Sequence, residues 1–232
     1  MKKRRLLSLF LSFALLLPLF ASFSAEAYED FTLDARAGLL IEADTGEILY
    51  EKNARQENYP ASLTKIMTAL LVFEAIDEGK LSLSDSVTAT ESAFEGLASD
   101  GSTADIVPGE TMTVEQLLNC MLIVSANETC NILGEYISGS VEAFVARMNE
   151  RASELGCEHT HFANATGLHN SQHYTTAWDL YLITREAMKH EKFMEICNSK
   201  SYTVPATNMT EKPRELHSTN FLISNWRARG YV

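Results

Sequence analysis

Apolar positions fall into blocks of different period along the chain. Residues 37–43 (Ala-Gly-Leu-Leu-Ile-Glu-Ala) and 47–50 (Glu-Ile-Leu-Tyr) flank Asp44-Thr45-Gly46, a turn signal, and together predict a β-hairpin. After the polar connector Glu51–Tyr59 and Pro60, apolar residues at 63, 66, 67, 70 and 71 predict a helix from Ser62 to Glu78. Ala69, Val72, Phe73 and Ile76 fill its other sides, so this helix belongs inside the fold. Gly79 ends it.

Residues 81–111 are rich in Ser, Thr, Asp and Gly and suit loops and short strands. Thr113-Val-Glu-Gln116 is a capping box opening a helix to about Val124. Further helices are expected over about 128–137, 140–155 and 176–190, with a loop over 157–174. Tyr202-Thr-Val reads as a strand before Pro205, and the last thirty residues read as polar loop with one apolar patch, Phe221-Leu-Ile. A lone hairpin is only marginally stable, so the expectation is that its remaining strands lie beyond Val232.

The first segment stands outside this pattern. Lys2, Lys3, Arg4 and Arg5 precede an apolar run from Leu6 to about Phe23 and then Ala25-Glu26-Ala27. That order is the one of a secretory signal peptide cut after Ala27, and Pro18 argues against a retained anchor. No later stretch is long and apolar enough to span a bilayer. The division expected is therefore 1–27 signal peptide and 28–232 one exported domain.

Charge then narrows the partners. Without residues 1–27, Lys+Arg falls from 19 to 15 and Asp+Glu from 31 to 30, a net of −15. This disfavours nucleic acid and anionic surfaces and fits a solvated acidic exterior. Cys120, Cys130, Cys157 and Cys197 are even in number, but two sit in apolar helical sequence, and their redox state stays open.

Two short motifs carry candidate chemistry. Ser62-Leu-Thr-Lys65 opens the buried helix, and its spacing stacks an amine one turn above a hydroxyl. A serine hydroxyl needs a base, and lysine serves only where burial lowers its pKa. The plain alternative makes Ser62 a helix cap and Lys65 a surface lysine. Ser125-Ala-Asn127 lies in the break between two helices, exposing a hydroxyl for proton transfer and an amide for a substrate carbonyl; the alternative is a simple turn. Ser218-Thr-Asn220 is a second copy of the pattern, without flanking helices.

A rival constellation gathers Cys157, His159, His161, His169 and His173 in one loop. Zinc takes such ligands, but the spacing fits no metal pattern, and ordinary loop hydrogen bonds are the preferred reading. Asn127-Glu-Thr and Asn164-Ala-Thr match a glycosylation acceptor by accident.

The order Ser-x-x-Lys then Ser-x-Asn resembles the active-site pattern of penicillin-binding proteins and class A β-lactamases. The longer stretches YPASLTKIMTALL (Tyr59 to Leu71), SANETCNILGEYI (Ser125 to Ile137), FANATGLHNSQHYTTAWDL (Phe162 to Leu180) and AGLLIEADTGEILYEKN (Ala37 to Asn53) are similar to low-molecular-mass D-alanyl-D-alanine carboxypeptidases. The resemblance implies an α/β (α+β) fold, an antiparallel sheet flanked by helices with a helical lobe. It implies Ser62 as acylated nucleophile, Lys65 as its base, Ser125 as proton relay and Asn127 as substrate binder. Implied too are peptidoglycan stem peptides as substrate, β-lactams as covalent inhibitors, a cell-envelope location, and no metal or other cofactor. The family's third motif, Lys-Thr-Gly, occurs nowhere in the chain. The expectation is that the chain ends just short of it, is inactive alone, and would meet a membrane only through a region beyond Val232. A non-catalytic cell-wall or β-lactam-binding module and a class A-like β-lactamase are the other functions considered.

Overall fold

A computed structural model describes residues 33–220 and 222–223. The expected signal segment and Phe221 lie outside the described residues. The expected hairpin forms from β1 (Gly38–Ile41) and β2 (Ile48–Lys52), antiparallel, with Leu40 opposite Tyr50 and a bulge between Leu40 and Ile41. Two more antiparallel pairs follow: β3 (Ser86–Thr88) with β4 (Thr111–Thr113), and β5 (Ser201–Val204) with β6 (Arg214–His217). Among the described residues these three pairs are separate.

The helices are α1 (Lys65–Asp77), α2 (Val114–Val124), α3 (Asn127–Ser138), α4 (Val141–Glu154), α5 (Ala177–Ala187) and α6 (Glu191–Cys197). α1 is the axis of the core: Met67, Ala69, Leu70, Val72 and Phe73 are all buried. Each large apolar side chain so buried contributes about 2 kcal/mol. Caps set the flanking helices. Thr113 and Gln116 form the anticipated capping box of α2, Ser140 caps α4 through Ala143 N, and Thr176 caps α5 through Asp179 N.

Three expectations need correction. The predicted helix start at Ser62 is instead one 3₁₀ turn, Ala61–Thr64, with α1 beginning at Lys65. Pro60 lacks an N–H and Ala61 has a φ of +47°, so the regular ladder cannot begin there. Residues 191–197, beyond the last helix expected over 176–190, form α6 by burying Phe193 and Ile196. The polar tail contains β6, which buries only Leu216 of its four residues and so carries little apolar signal.

β6 is fastened by charge. Arg214 Nη2 donates to both oxygens of the buried Glu110 at 2.6 and 2.7 Å, and Thr207 Oγ1 donates to the same carboxylate at 2.6 Å. Glu110→Ala therefore strands a half-buried guanidinium and is expected to cost about 3 kcal/mol or more, read as a lower urea midpoint.

Candidate active site

Ser62 sits exposed on the 3₁₀ turn, whose three-residue period sets the side chains of Ser62 and Lys65 nearly above one another. Lys65, only 3% exposed, is not a surface lysine. Its Nζ lies 3.1 Å from Ser62 Oγ, 2.8 Å from Asn127 Oδ1 and 2.9 Å from the Thr166 carbonyl oxygen. All three neighbours are uncharged oxygens. Burial pulls the amine pKa below the ordinary lysine value, while the fields of Cys130 and Glu128 pull the other way.

Asn127 is the first residue of α3. Its N–H donates to the Ser102 carbonyl at 2.9 Å, and its amide is roofed by Gly101, where a Cβ would lie 2.6 Å from Asn127 Nδ2. Glu128, also buried, holds that roof by accepting from Thr103 Oγ1 at 2.8 Å and Ala104 N at 2.7 Å. Ser125 closes α2 in the left-handed region (φ +62°), and both its N–H and that of Ala126 fold back to the Cys120 carbonyl. Its Oγ is buried and is the single such side-chain atom without a partner among the described residues. A strained backbone and an orphaned hydroxyl in one residue mark a position shaped by something other than stability.

The third wall of the amine's surroundings is the 162–168 loop. Asn164 Oδ1 accepts from Thr166 N and Gly167 N at 3.2 and 2.7 Å, which turns the Thr166 carbonyl toward Lys65. Thr68 Oγ1 donates to the Ala165 carbonyl at 2.7 Å, one turn along α1 from Lys65. Gly167 (φ +87°) rests directly on the serine turn, and a Cβ there would lie 1.9 Å from Ala61 O. His173 bridges Thr64 and Ala163.

Thus Lys65 is brought into contact with both Ser62 and Asn127, whereas Ser125 lies beside Asn127 in the helix break with its hydroxyl bonded to none of them. Thr64, Thr166, Gly167 and Glu128 were not anticipated, and His173 was expected only as one of the loop histidines. Thr166 contributes a backbone atom, which no side-chain pattern reports; Gly167 and His173 lay inside the Phe162–Leu180 block already seen as distinctive.

The loop histidines find separate partners. His159 Nδ1 is 3.3 Å from Glu57 Oε1, His161 Nδ1 faces the Gln172 carbonyl, and His169 stacks edge-on against Tyr59. Cys157 donates to the Asp179 carbonyl. Among the described residues no group of three or more His, Cys, Asp and Glu side chains is placed to hold a metal ion. All four cysteines are free thiols, and burial pushes Cys120, Cys130 and Cys157 up to about 12. Ser218 and Asn220 form a local turn, Asn220 N donating to Ser218 Oγ at 3.2 Å, and Ser218 N donates to the Lys200 carbonyl at 2.9 Å.

Sequence comparison settles the family. The profile of D-alanyl-D-alanine carboxypeptidases matches residues 23–228. The chain belongs to that family. It is 39% identical over 204 residues to the D-alanyl-D-alanine carboxypeptidase DacF of Bacillus subtilis, covering 88% of this chain and 51% of DacF. It is 34% identical to DacC of Escherichia coli, covering 89% of this chain and 53% of DacC. The chain thus spans about half the length of these curated relatives. Among solved structures, a mutant of the Streptomyces K15 DD-transpeptidase superposes with a TM-score of 0.77 at 30% identity, over 85% of this chain and 78% of that one. The carboxypeptidase DacD of Francisella tularensis gives 0.72 at 32% identity, over 86% and 49%. Helices packed with short antiparallel strands therefore represent this family's α/β fold, as the resemblance implied.

Proposed function

We propose that the full-length protein is an exported serine-type D-alanyl-D-alanine carboxypeptidase. It removes the terminal D-alanine of peptidoglycan stem peptides through an acyl-enzyme on Ser62. One observation carries this reading: the hydrogen-bond arithmetic at Lys65 Nζ. A neutral amine has two N–H donors and one lone pair. As an ammonium, Lys65 Nζ donates to all three oxygens, Ser62 Oγ included. In the neutral form Asn127 Oδ1 and the Thr166 carbonyl, which can only accept, take its two N–H groups, and its lone pair turns to Ser62 Oγ. Burial favours this neutral form.

Chemistry follows in order. Lys65 takes the Ser62 proton as Oγ attacks the carbonyl between the two D-alanines. The tetrahedral adduct collapses, the C–N bond breaks, and the leaving amine gains a proton through Ser125, whose hydroxyl is free to relay it. Water then adds to the ester, with Lys65 again the base, and releases the shortened peptide and Ser62. Asn127 holds a substrate carbonyl through its amide N–H₂. A β-lactam presents a strained amide to the same oxygen and acylates it. The positive, apolar, small-x-small order of residues 1–27 supports export to the cell envelope, and the acidic exterior gives no support to nucleic-acid binding. None of these steps draws on a metal or other cofactor.

The test is release of free D-alanine from a peptide ending in D-Ala-D-Ala by the full-length protein, run beside penicillin hydrolysis. Stoichiometric release that vanishes in Ser62→Ala supports the reading. Rapid penicillin turnover without D-alanine release would make the protein a β-lactamase, and labelling with neither turnover would make it a binding module.

A further inference from the structure

The base and its acceptor come from segments about a hundred residues apart, so something must fix the gap between the serine turn and the 162–168 loop. His173 spans that gap. Its ring is 2% exposed, and both nitrogens are used. Nδ1 accepts from Ala163 N–H at 3.1 Å, which requires the other nitrogen to carry the proton; Nε2–H then donates to Thr64 Oγ1 at 2.7 Å. Phe162 packs edge-on against the ring at 5.6 Å and fixes its plane. Thr64 itself is fully buried and immediately precedes Lys65, while Ala163 lies three residues before Thr166.

Direct catalysis by this imidazole is excluded by geometry, because Nε2 points at Thr64 and Nδ1 is blocked by a backbone donor. Simple space-filling does not explain it either, since a phenyl ring would fill the same volume without needing two complementary partners.

We propose that His173 is a positioning residue for acyl transfer, a neutral strut tying Thr64 to Ala163 and thereby setting the Lys65 amine between the Thr166 carbonyl and the Ser62 hydroxyl. The inference rests on the Ser62–Lys65 reading above. Only the neutral, Nε2-protonated ring makes both bonds. Burial, with His161 adding to it, pushes the ring pKa down to about 4, so the strut stays intact at neutral pH.

The experiment is saturation kinetics of labelling by a fluorescent penicillin in the full-length protein at pH 7. His173→Gln, which keeps one acceptor and one donor, and Thr64→Ser are expected to label at nearly the wild-type maximal rate. His173→Phe and Thr64→Val are expected to lose about 10- to 100-fold in that rate, with little change in half-saturating concentration. In His173→Phe, the ¹³C-detected titration of the Lys65 ε-methylene also shifts, while His173→Gln leaves it in place. A His173→Phe or Thr64→Val protein labelling at the wild-type maximal rate overturns the proposal. So does equal impairment of His173→Gln and His173→Phe. Wild-type protein that is never labelled on Ser62 would instead remove the acyl-enzyme reading, whereas an unshifted Lys65 titration in His173→Phe would remove the strut alone.

Discussion

Lys65→Met in the full-length protein is expected to slow acylation of Ser62 by about 10²- to 10⁴-fold, the usual contribution of a positioned general base. Methionine keeps the unbranched stem and so keeps much of the packing. It leaves Asn127 Oδ1 and the Thr166 carbonyl without their donor, a cost of about 1–3 kcal/mol for each group left unsatisfied. Release of a buried amine from its desolvation penalty acts in the opposite direction. The fold is therefore expected to survive while the chemistry does not. Lys65→Arg sharpens the test. Arginine can donate to the same two oxygens but stays protonated, so it cannot accept the serine proton. If Lys65 only held Asn127 and Thr166 in place, the arginine variant would retain activity; as a base, it is lost in both. A pH dependence goes with this. The folded amine gives up its proton below the ordinary value of 10.5, so the unfolded chain binds more protons in that window, and stability rises as pH approaches 10.5. Lys65→Met flattens that rise.

The second large effect belongs to Gly167→Ala. The added methyl would sit 1.9 Å from Ala61 O and 2.4 Å from Ala61 C, both backbone atoms, at a φ of +87°. Left-handed backbone costs about 1–2 kcal/mol for a non-glycine residue. Overpacking adds about 1–3 kcal/mol. A total near 3 kcal/mol is expected in denaturant unfolding, with acylation lost because the turn bearing Ser62 must move. Gly139→Ala is the control. It has a similar φ of +82° and nothing within 4 Å of the added carbon, so it bears the backbone cost alone and leaves acylation unchanged. Equal effects at both positions would mean that contact with the serine turn is unimportant.

Much of this architecture can be read from the chain because local signals and tertiary packing agree. The hairpin's turn residues, the all-round apolar helix after Pro60 and the Thr113–Gln116 box each specify one local structure, and each is found. β6 and α6 were missed for a common reason. Arg214-Glu-Leu-His217 and Glu191–Cys197 bury one or two apolar residues apiece, and what holds β6 is the Glu110 carboxylate, distant in sequence. Short elements stabilised from elsewhere leave weak periodicity behind.

The site divides in the same way. Ser62, Lys65, Ser125 and Asn127 announce themselves because side-chain chemistry at fixed spacing is visible in a string of letters. Their surroundings do not. The Thr166 carbonyl is a backbone atom, Gly167 matters by what it lacks, and His173 looks like one of several loop histidines until its two partners are known. Spacing can nominate a hydroxyl and an amine; only the fold shows that the amine has uncharged neighbours.

The most direct measurement is the proton affinity of that amine. With ¹³C-labelled lysine and the Lys65 resonance assigned by its loss in Lys65→Arg, the ε-carbon shift is followed across alkaline and neutral pH. A midpoint below the ordinary lysine value of 10.5 is predicted, coinciding with the rising limb of Ser62 acylation. Titration at the ordinary value, with acylation rising at some other pH, would contradict the assignment of Lys65 as the base.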